Sequence, residues 1–338
     1  MKRNYTGKER VMTACKGEYS DRVPININFP SAHELVGFTL EECAFEPEKA
    51  LQAQIKSHEM FSSDMVDVPG DPYLPATAAI LYEAKFGSGA IPKPPLEDKS
   101  LLAQLQVRDP RQSKRYAIYL EMCHKTKSIF NDAWVSALLA APWSIAAALR
   151  GVEALIYDTI DDPQFVHELM RLASQFTKAR GDAIIETGVA LMLAETQASC
   201  SVISPKIYRD FVHPYLKDVI DHFKQQEAWI DLHICGYTDP IVEYTTSLDV
   251  DIIDIDAPTS LKKMVEVSQK RVAIRGNVAT ELFVDGTKEQ IEEAAKNCID
   301  IASGSAYILS PGCQIPLNAP AEKIRYFWEA ALEYGIYK

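Results

Sequence analysis

Eight short apolar runs are spaced along the chain, each bounded by polar, glycine or proline residues. Runs of this length are typical of buried strands. They cover residues 23–29, 65–70, 133–142, 188–196, 228–235, 250–257, 271–277 and 305–313. Longer segments lie between most of them, and their apolar positions follow the period of an amphipathic helix. Examples are residues 47–61, 162–187, 205–226, 238–248, 260–269 and 288–302.

Strand alternating with helix predicts a parallel sheet whose strands are joined by helical crossovers. Eight such units fit a (β/α)8 TIM barrel, an α/β fold, better than an open doubly wound sheet. No G-x-G-x-x-G or G-x-x-x-x-G-K-[ST] motif follows any of the runs, so a nucleotide-binding sheet is not favoured. We therefore expect one barrel domain over residues 1–338, with a helix before the first strand.

The stretch between the second and third runs interrupts this regular spacing. It covers about residues 71–131 and includes the Gly/Pro-rich sequence GSGAIPKPPLED. An insertion after the C-terminal end of a strand could cover the mouth of the barrel as a lid. A peripheral excursion would explain the same residues, and the sequence leaves both interpretations open.

The composition and charge exclude several classes of protein. With 47% hydrophobic and 24% charged residues, the chain is not disordered, collagenous or a coiled coil. Its 35 Lys and Arg against 47 Asp and Glu give a net charge of −12, so we expect no nucleic-acid partner and no anionic membrane partner. No apolar run reaches the roughly 18 residues of a transmembrane helix, and the N-terminus lacks a signal peptide. We expect a cytoplasmic protein.

The chain has seven cysteines, an odd number that does not suggest a disulfide framework. His233 and Cys235 are two positions apart in the fifth run and would lie on one face of a strand. Imidazole and thiolate suit zinc, and Cys313, at the end of the eighth run, would reach the same rim of the barrel as a third ligand. Glu195 could fill a fourth position. Alternatively the cysteines only pack, because Cys is among the most buried residue types.

The sixth run carries the sequence DIIDID, in which Asp254 and Asp256 share one strand face. Paired carboxylates could perform acid/base chemistry or hold the cation of a ligand. An inward polar layer neutralised by Arg275 would explain them equally well.

Several longer segments resemble the uroporphyrinogen decarboxylase superfamily over nearly the whole chain. ERVMTACKGEYSDRVPI is similar to the family's opening, and APWSIAAALRG to its mid-chain segment with a proline and an aromatic residue. LHICGYT, RGNVA and SPGCQIPLNAPAEKI resemble its motifs at strands five, seven and eight. Together these segments are specific, whereas each alone is only suggestive.

The resemblance separates two branches of that superfamily. The decarboxylases are metal-free and carry an arginine-rich motif after strand one, where this chain reads NINFPSAHE without arginine. The zinc-dependent methyltransferases use a His-x-Cys on strand five and a Cys on strand eight as metal ligands, and His233, Cys235 and Cys313 match these positions. The resemblance thus implies zinc as cofactor, with Glu195 as fourth ligand or proton-handling residue.

Members of the methyltransferase branch move a methyl group to or from the cobalt of a corrinoid (cobalamin) that a separate protein usually holds. The resemblance implies such a corrinoid protein as partner, and a methoxyaromatic, another methyl donor or a thiol such as coenzyme M as the small molecule. A uroporphyrinogen decarboxylase and a non-catalytic partner-binding barrel remain alternatives, and a homo-oligomer is compatible with all three. Further substrate contacts are expected at strand ends, from Asn26, Asp67, Asp71, Tyr237 and Asn277.

Overall fold

A computed structural model describes residues 4–27, 29, 31–69 and 94–337 of the protein. Its seven strands form one parallel sheet in which each strand pairs with the next along the chain. They are β1 (Met65–Asp67), β2 (Trp134–Ala140), β3 (Ala190–Glu195), β4 (Ile230–Ile234), β5 (Ile252–Ile255), β6 (Ala273–Val278) and β7 (Tyr307–Pro311). Seven of the eight predicted strands are therefore confirmed, each within its apolar run except β6, which extends one residue further to Val278.

Two residues of the remaining run, 23–29, close the barrel. Ile25 forms a parallel bridge with Leu309 of β7, and Asn26 forms one with Met65 of β1. The backbone nitrogen of Asn26 also donates a 2.8 Å hydrogen bond to the carbonyl of Leu309. The first predicted strand thus occupies its expected place between β1 and β7, and the predicted (β/α)8 barrel is confirmed.

A buried carboxylate fixes this closing segment. The side chain of Asp64, only 1% exposed, lies directly before β1 and contacts Arg22 at 2.6 Å and Arg10 at 3.0 Å. The same carboxylate accepts a 2.8 Å hydrogen bond from the backbone nitrogen of Ile25. Asp64 therefore links the helix before the barrel, the closing segment and β1.

Helices connect the strands on the outside of the barrel. The longest helix shows a favourable N-terminus. Asp162 caps it and Pro163 occupies its first position, which are residue types preferred at the start of helices. The helices are α1 (Gly7–Cys15), α2 (Leu40–Phe45), α3 (Pro47–Phe61), α4 (Lys114–Ile129), α5 (Pro142–Arg150), α6 (Val152–Asp161), α7 (Pro163–Ile185), α8 (His213–Lys224), α9 (Val242–Thr246), α10 (Leu261–Ser268), α11 (Leu282–Asp285), α12 (Lys288–Ile301) and α13 (Ala321–Tyr334).

Shorter helical turns complete the described elements. A π-helical turn, Tyr208–Val212, joins the turn Pro205–Ile207 to α8. Turns of 3₁₀-helix are Glu34–Val36, Lys99–Gln104, Pro110–Gln112 and Asp239–Ile241. No helix in the described part of the chain is both long and apolar enough to cross a membrane.

The stretch expected as an insertion, 71–131, ends in a regular element of the barrel. α4 is the crossover helix between β1 and β2, and its Tyr119 hydroxyl donates a hydrogen bond to the carbonyl of Leu138 in β2. Before it, Leu96 donates through its backbone nitrogen to the carbonyl of Leu149 in α5. Any insertion is thus shorter than expected, and residues 70–93 lie outside the described residues.

Candidate metal centre

Three nitrogen and sulfur donors meet at the C-terminal rim of the barrel. His233 lies in β4, Cys235 directly follows that strand, and Cys313 follows β7. The Nε2 atom of His233 is 3.0 Å from Sγ of Cys235 and 3.8 Å from Sγ of Cys313, and the two sulfurs are 3.9 Å apart. Within the described residues this is the one group whose donor atoms all lie within 4.8 Å of one another. The structure therefore brings together the three residues predicted as metal ligands.

Two glycines beside the cysteines allow the chain to bring the sulfurs together. Gly236 has φ +88°, a left-handed conformation that glycine adopts without strain, and it turns the chain away directly after Cys235. Gly312, just before Cys313, packs so closely against β5's exit loop that a Cβ there would lie 2.6 Å from the nitrogen of Ala257. Larger residues at these positions would displace the cysteines.

The imidazole of His233 is buried and faces a carboxylate on its second nitrogen. Its Nδ1 atom lies 2.9 Å from Oδ2 of Asp254 in β5, and the side chains of both residues are at most 6% exposed. Burial lowers the pKa of His233, but the charge of Asp254 and the hydrogen bonds to Asp254, Cys235 and Cys313 together outweigh burial and raise the pKa well above its ordinary value. The Nε2 atom is left to face the two cysteines.

The two thiols have pKa values that move in opposite directions. The pKa of Cys313 falls to about 5, because its sulfur accepts a hydrogen bond from the thiol of Cys235 and lies close to His233. Donation of that hydrogen bond, together with burial, raises the pKa of Cys235. The pair thus favours the thiolate form on one of its two sulfurs, and the thiolate is the form in which cysteine binds metals.

A buried cation lies beside this group inside the barrel. The guanidinium of Arg275, with 2% of its side chain exposed, is 2.6 Å from Oδ2 of Asp254 and 2.5 Å from Oδ2 of Asp231. Burial raises the pKa of Asp231 to about 7. The structure thus shows that Asp254 belongs to an inward polar layer with Arg275. Asp256 does not, because its carboxylate accepts hydrogen bonds from the backbone nitrogens of Gly236 and Ala257.

The sequence of the whole barrel matches one family. The sequence model of the family described as uroporphyrinogen decarboxylase (URO-D) matches residues 6–334. The chain belongs to the URO-D family. The resemblance found in the motifs is thereby confirmed.

Relatives of this URO-D family member carry two kinds of name. It is 24% identical to "Methylcobamide:CoM methyltransferase MtbA" of Methanosarcina acetivorans, over 98% of each chain. It is 25% identical to "Uroporphyrinogen decarboxylase" of Prochlorococcus marinus, over 86% of each chain. A solved structure of a methyltransferase from Methanosarcina mazei superposes with a TM-score of 0.86, at 23% identity, over 98% of this chain and 99% of that one. The last comparison supports the barrel fold.

Glu195 does not join the three donors in the structure. It pairs with Ile234 in the register of β3 and β4, so its side chain lies on the opposite face of the sheet from that of His233. Its carboxylate accepts hydrogen bonds from the backbone nitrogens of Trp143 (3.0 Å) and Ser144 (2.8 Å) at the start of α5. The placement expected of a fourth ligand is therefore wrong, because both carboxylate oxygens are turned to the helix layer.

Three of the five other expected substrate contacts are engaged within the protein. Asn26 donates to the hydroxyl of Ser310, Asp67 accepts from that of Ser136, and Asn277 donates to the carbonyl of Thr259. Burial raises the pKa of Asp67. Tyr237 is 39% exposed at the rim, two residues from Cys235, and Asp71 lies outside the described residues.

The contact between His233 and Asp254 was not predicted from the sequence. His233 and Asp254 were each noted, but not as neighbours. The available signal was that H-x-C and D-I-D close consecutive apolar runs, because consecutive strands of a barrel are adjacent.

Proposed function

We propose that this chain is a zinc-dependent methyltransferase of a corrinoid system. It would move a methyl group between a small molecule and the cobalt of a corrinoid held by a partner protein. The observation that carries the proposal is the group of His233, Cys235 and Cys313 at the C-terminal rim, where barrel enzymes hold their active sites.

The donor set suits catalytic zinc. One imidazole nitrogen and two sulfurs are the ligands that this ion prefers, and catalytic sites use three protein ligands. His233 is buried, whereas Cys235 and Cys313 are each partly exposed, so a substrate can reach the sulfur side of the group. The contact between His233 and Asp254 is the outer partner that metal-binding histidines usually have.

When bound, zinc would lower the pKa of a thiol substrate or withdraw charge from a departing oxygen. His233 would hold the ion through Nε2, with its Nδ1 proton donated to Asp254. Cys235 and Cys313 would hold it as thiolates. Arg275, itself buried, neutralises the carboxylate of Asp254 beneath the site.

The family comparison supports the methyl-transfer chemistry. A relative that aligns over 98% of both chains is named a methylcobamide:CoM methyltransferase, and another is named a methylated-thiol–coenzyme M methyltransferase. We extend to this chain the class of reaction in these names, methyl transfer between a cobamide and a thiol. A corrinoid protein as partner and a methoxylated compound as an alternative small molecule come from the motif resemblance.

Decarboxylation of a porphyrinogen is the second candidate, since relatives in the same family carry that name. The segment after the first strand, residues 26–34, contains no arginine. A substrate with many carboxylates would therefore lack a cationic partner there, and the net charge of −12 would repel it.

Zinc analysis and methyl transfer test the proposal. The purified chain is expected to contain about one zinc per molecule, as a three-ligand catalytic site holds a single ion. Methyl transfer is then followed by the visible absorbance of cobalamin, from methylcobalamin to a panel of thiols and from methoxyaromatics to reduced cobalamin. Cys235→Ala and Cys313→Ala should each lose both zinc and methyl transfer.

Cys200→Ala is the matched control. Cys200 is also partly exposed and lies in the loop that contacts Tyr237, yet its sulfur does not belong to the group of donors. This variant should keep its zinc and its activity. An active chain without stoichiometric zinc, or turnover of uroporphyrinogen in place of methyl transfer, would contradict the proposal, and an intact fold with neither activity nor zinc would favour a partner-binding barrel.

A further inference from the structure

Three side chains form a row across neighbouring strands beneath the candidate metal site. His233 of β4 pairs in register with Asp254 of β5, which pairs with Arg275 of β6. Residues paired in this way point to the same face of a sheet. The three side chains therefore touch in sequence, from imidazole to carboxylate to guanidinium.

One oxygen atom of Asp254 carries both contacts. Its Oδ2 atom lies 2.9 Å from Nδ1 of His233 and 2.6 Å from Nη2 of Arg275. An asparagine oxygen could accept from both donors, but it would lack the negative charge that balances the buried guanidinium of Arg275. The position is therefore selective for aspartate over asparagine.

Arg275 is held from a second side. Its Nη1 atom lies 2.5 Å from Oδ2 of Asp231, which is in β4 two residues before His233. Asp231 and Asp254 thus both contact the guanidinium, and both are at most 5% exposed. They differ in one respect. Among the ion pairs of the described residues, Asp254 contacts the imidazole of His233, whereas Asp231 contacts only Arg275.

We infer that Asp254 is a positioning residue for His233, with Arg275 as the second partner of its carboxylate. The carboxylate fixes the proton of the imidazole on Nδ1 and directs the lone pair of Nε2 towards Cys235 and Cys313. This inference rests on the proposed function in so far as His233 binds zinc. Loss of such an outer partner weakens metal binding by about 10–100-fold.

The two aspartates provide a matched pair of variants. Asp254→Asn and Asp231→Asn each remove one of the two carboxylates that contact Arg275, so both variants alter the same buried cluster. A purely structural role would weaken zinc binding equally in both. A positioning role weakens it in Asp254→Asn and leaves it unchanged in Asp231→Asn.

The experiment measures the dissociation constant for zinc alone on the full chain, by competition with a chromophoric chelator. Circular dichroism and the urea midpoint of the metal-free variants report their folding. We expect Asp254→Asn to raise the dissociation constant by about 10–100-fold, with Asp231→Asn matching the unmodified chain. If Asp254→Asn does not fold, Asp254→Glu keeps the charge but moves the carboxylate, and it should also bind zinc more weakly.

Two failures are distinguishable. An unmodified chain that binds zinc tightly, with variants at Asp254 that bind it equally well, overturns the positioning role and leaves the proposed function intact. Equal weakening in Asp254→Asn and Asp231→Asn also overturns it. An unmodified chain that does not bind zinc overturns the proposed function and, with it, this inference.

Discussion

Ser144 donates two hydrogen bonds to the carboxylate of Glu195, one from its backbone nitrogen and one from its hydroxyl, each 2.8 Å long. The backbone nitrogen of Trp143 donates a third, so Glu195 caps the N-terminus of α5 from the neighbouring strand β3. A negative charge is favourable at this end of a helix. Complete burial opposes that charge and raises the pKa of Glu195 to about 7.

This arrangement predicts a specific dependence of stability on pH. In the unfolded chain a glutamate has a pKa of about 4.3, so the folded protein binds the proton of Glu195 more tightly. The resulting stabilisation is complete below pH about 4.3 and is lost as the pH rises through about 7. Relative to Glu195→Gln, which mimics the protonated acid, the free energy of unfolding should fall by on the order of 3 kcal/mol across this range.

Urea unfolding of both proteins between pH 5 and 8, in steps of about one pH unit, measures the difference. The control is Glu153→Gln in α6, because Glu153 is exposed and its replacement should leave the pH dependence unchanged. Parallel stability curves for Glu195→Gln and the unmodified chain would show that Glu195 does not titrate in this range.

Removal of zinc should lower the thermal stability of the protein. A ligand that binds only the folded state stabilises it by about 2.7 kcal/mol when its free concentration is about 100 times the dissociation constant. A strong chelator should therefore lower the melting temperature, and added zinc should restore it. In Cys313→Ala the melting temperature should not respond to either addition, and a zinc-dependent shift that persists there would place the bound metal elsewhere.

Asp64→Asn should strongly destabilise the barrel. Asp64 is buried and is the shared partner of Arg10, Arg22 and the nitrogen of Ile25, and removal of one partner from such a group costs about 3–5 kcal/mol. Chemical denaturation measures the loss. Asp21→Asn is the comparison, because Asp21 contacts Arg10 from a position with 36% of its side chain exposed and should cost under about 1 kcal/mol.

Asn277→Ala should affect stability more than substrate binding. The Asn277 side chain donates a 2.8 Å hydrogen bond to the carbonyl of Thr259 in the loop after β5. Loss of one such hydrogen bond costs about 1 kcal/mol of unfolding free energy, while KM should remain unchanged. A large increase in KM without loss of stability would instead assign Asn277 to the substrate.

The fold and the three donors were accessible from the sequence for simple geometric reasons. Apolar runs predict buried strands. Residues two positions apart in a strand lie on the same face, so His233 and Cys235 were predicted to point in the same direction. Cys313 followed because all parallel strands of a barrel end at one rim. None of these steps needs the register of one strand against the next.

Residues whose role depends on register were the ones that failed. Glu195 ends its strand as expected, but a shift of one position decides whether its side chain faces the barrel interior or the helices, and the sequence does not report that shift. For Asp254 the sequence left acid/base chemistry and an inward layer with Arg275 equally open, and the structure shows the layer. Its contact with His233 was missed because it required knowing that the two residues lie at one level.

Closure of the barrel joins residues that are far apart in the chain. The hydrogen bond between Asn26 and Ser310 spans 284 positions, and the bridge between Ile25 and Leu309 spans a similar distance. During synthesis, the closing segment at Ile25 must therefore wait for almost the entire chain before its edge towards β7 is covered. Contacts of such long range slow folding, and an uncovered edge invites pairing with other chains. The last strand to be made thus ends the interval in which a nascent chain is most exposed to aggregation.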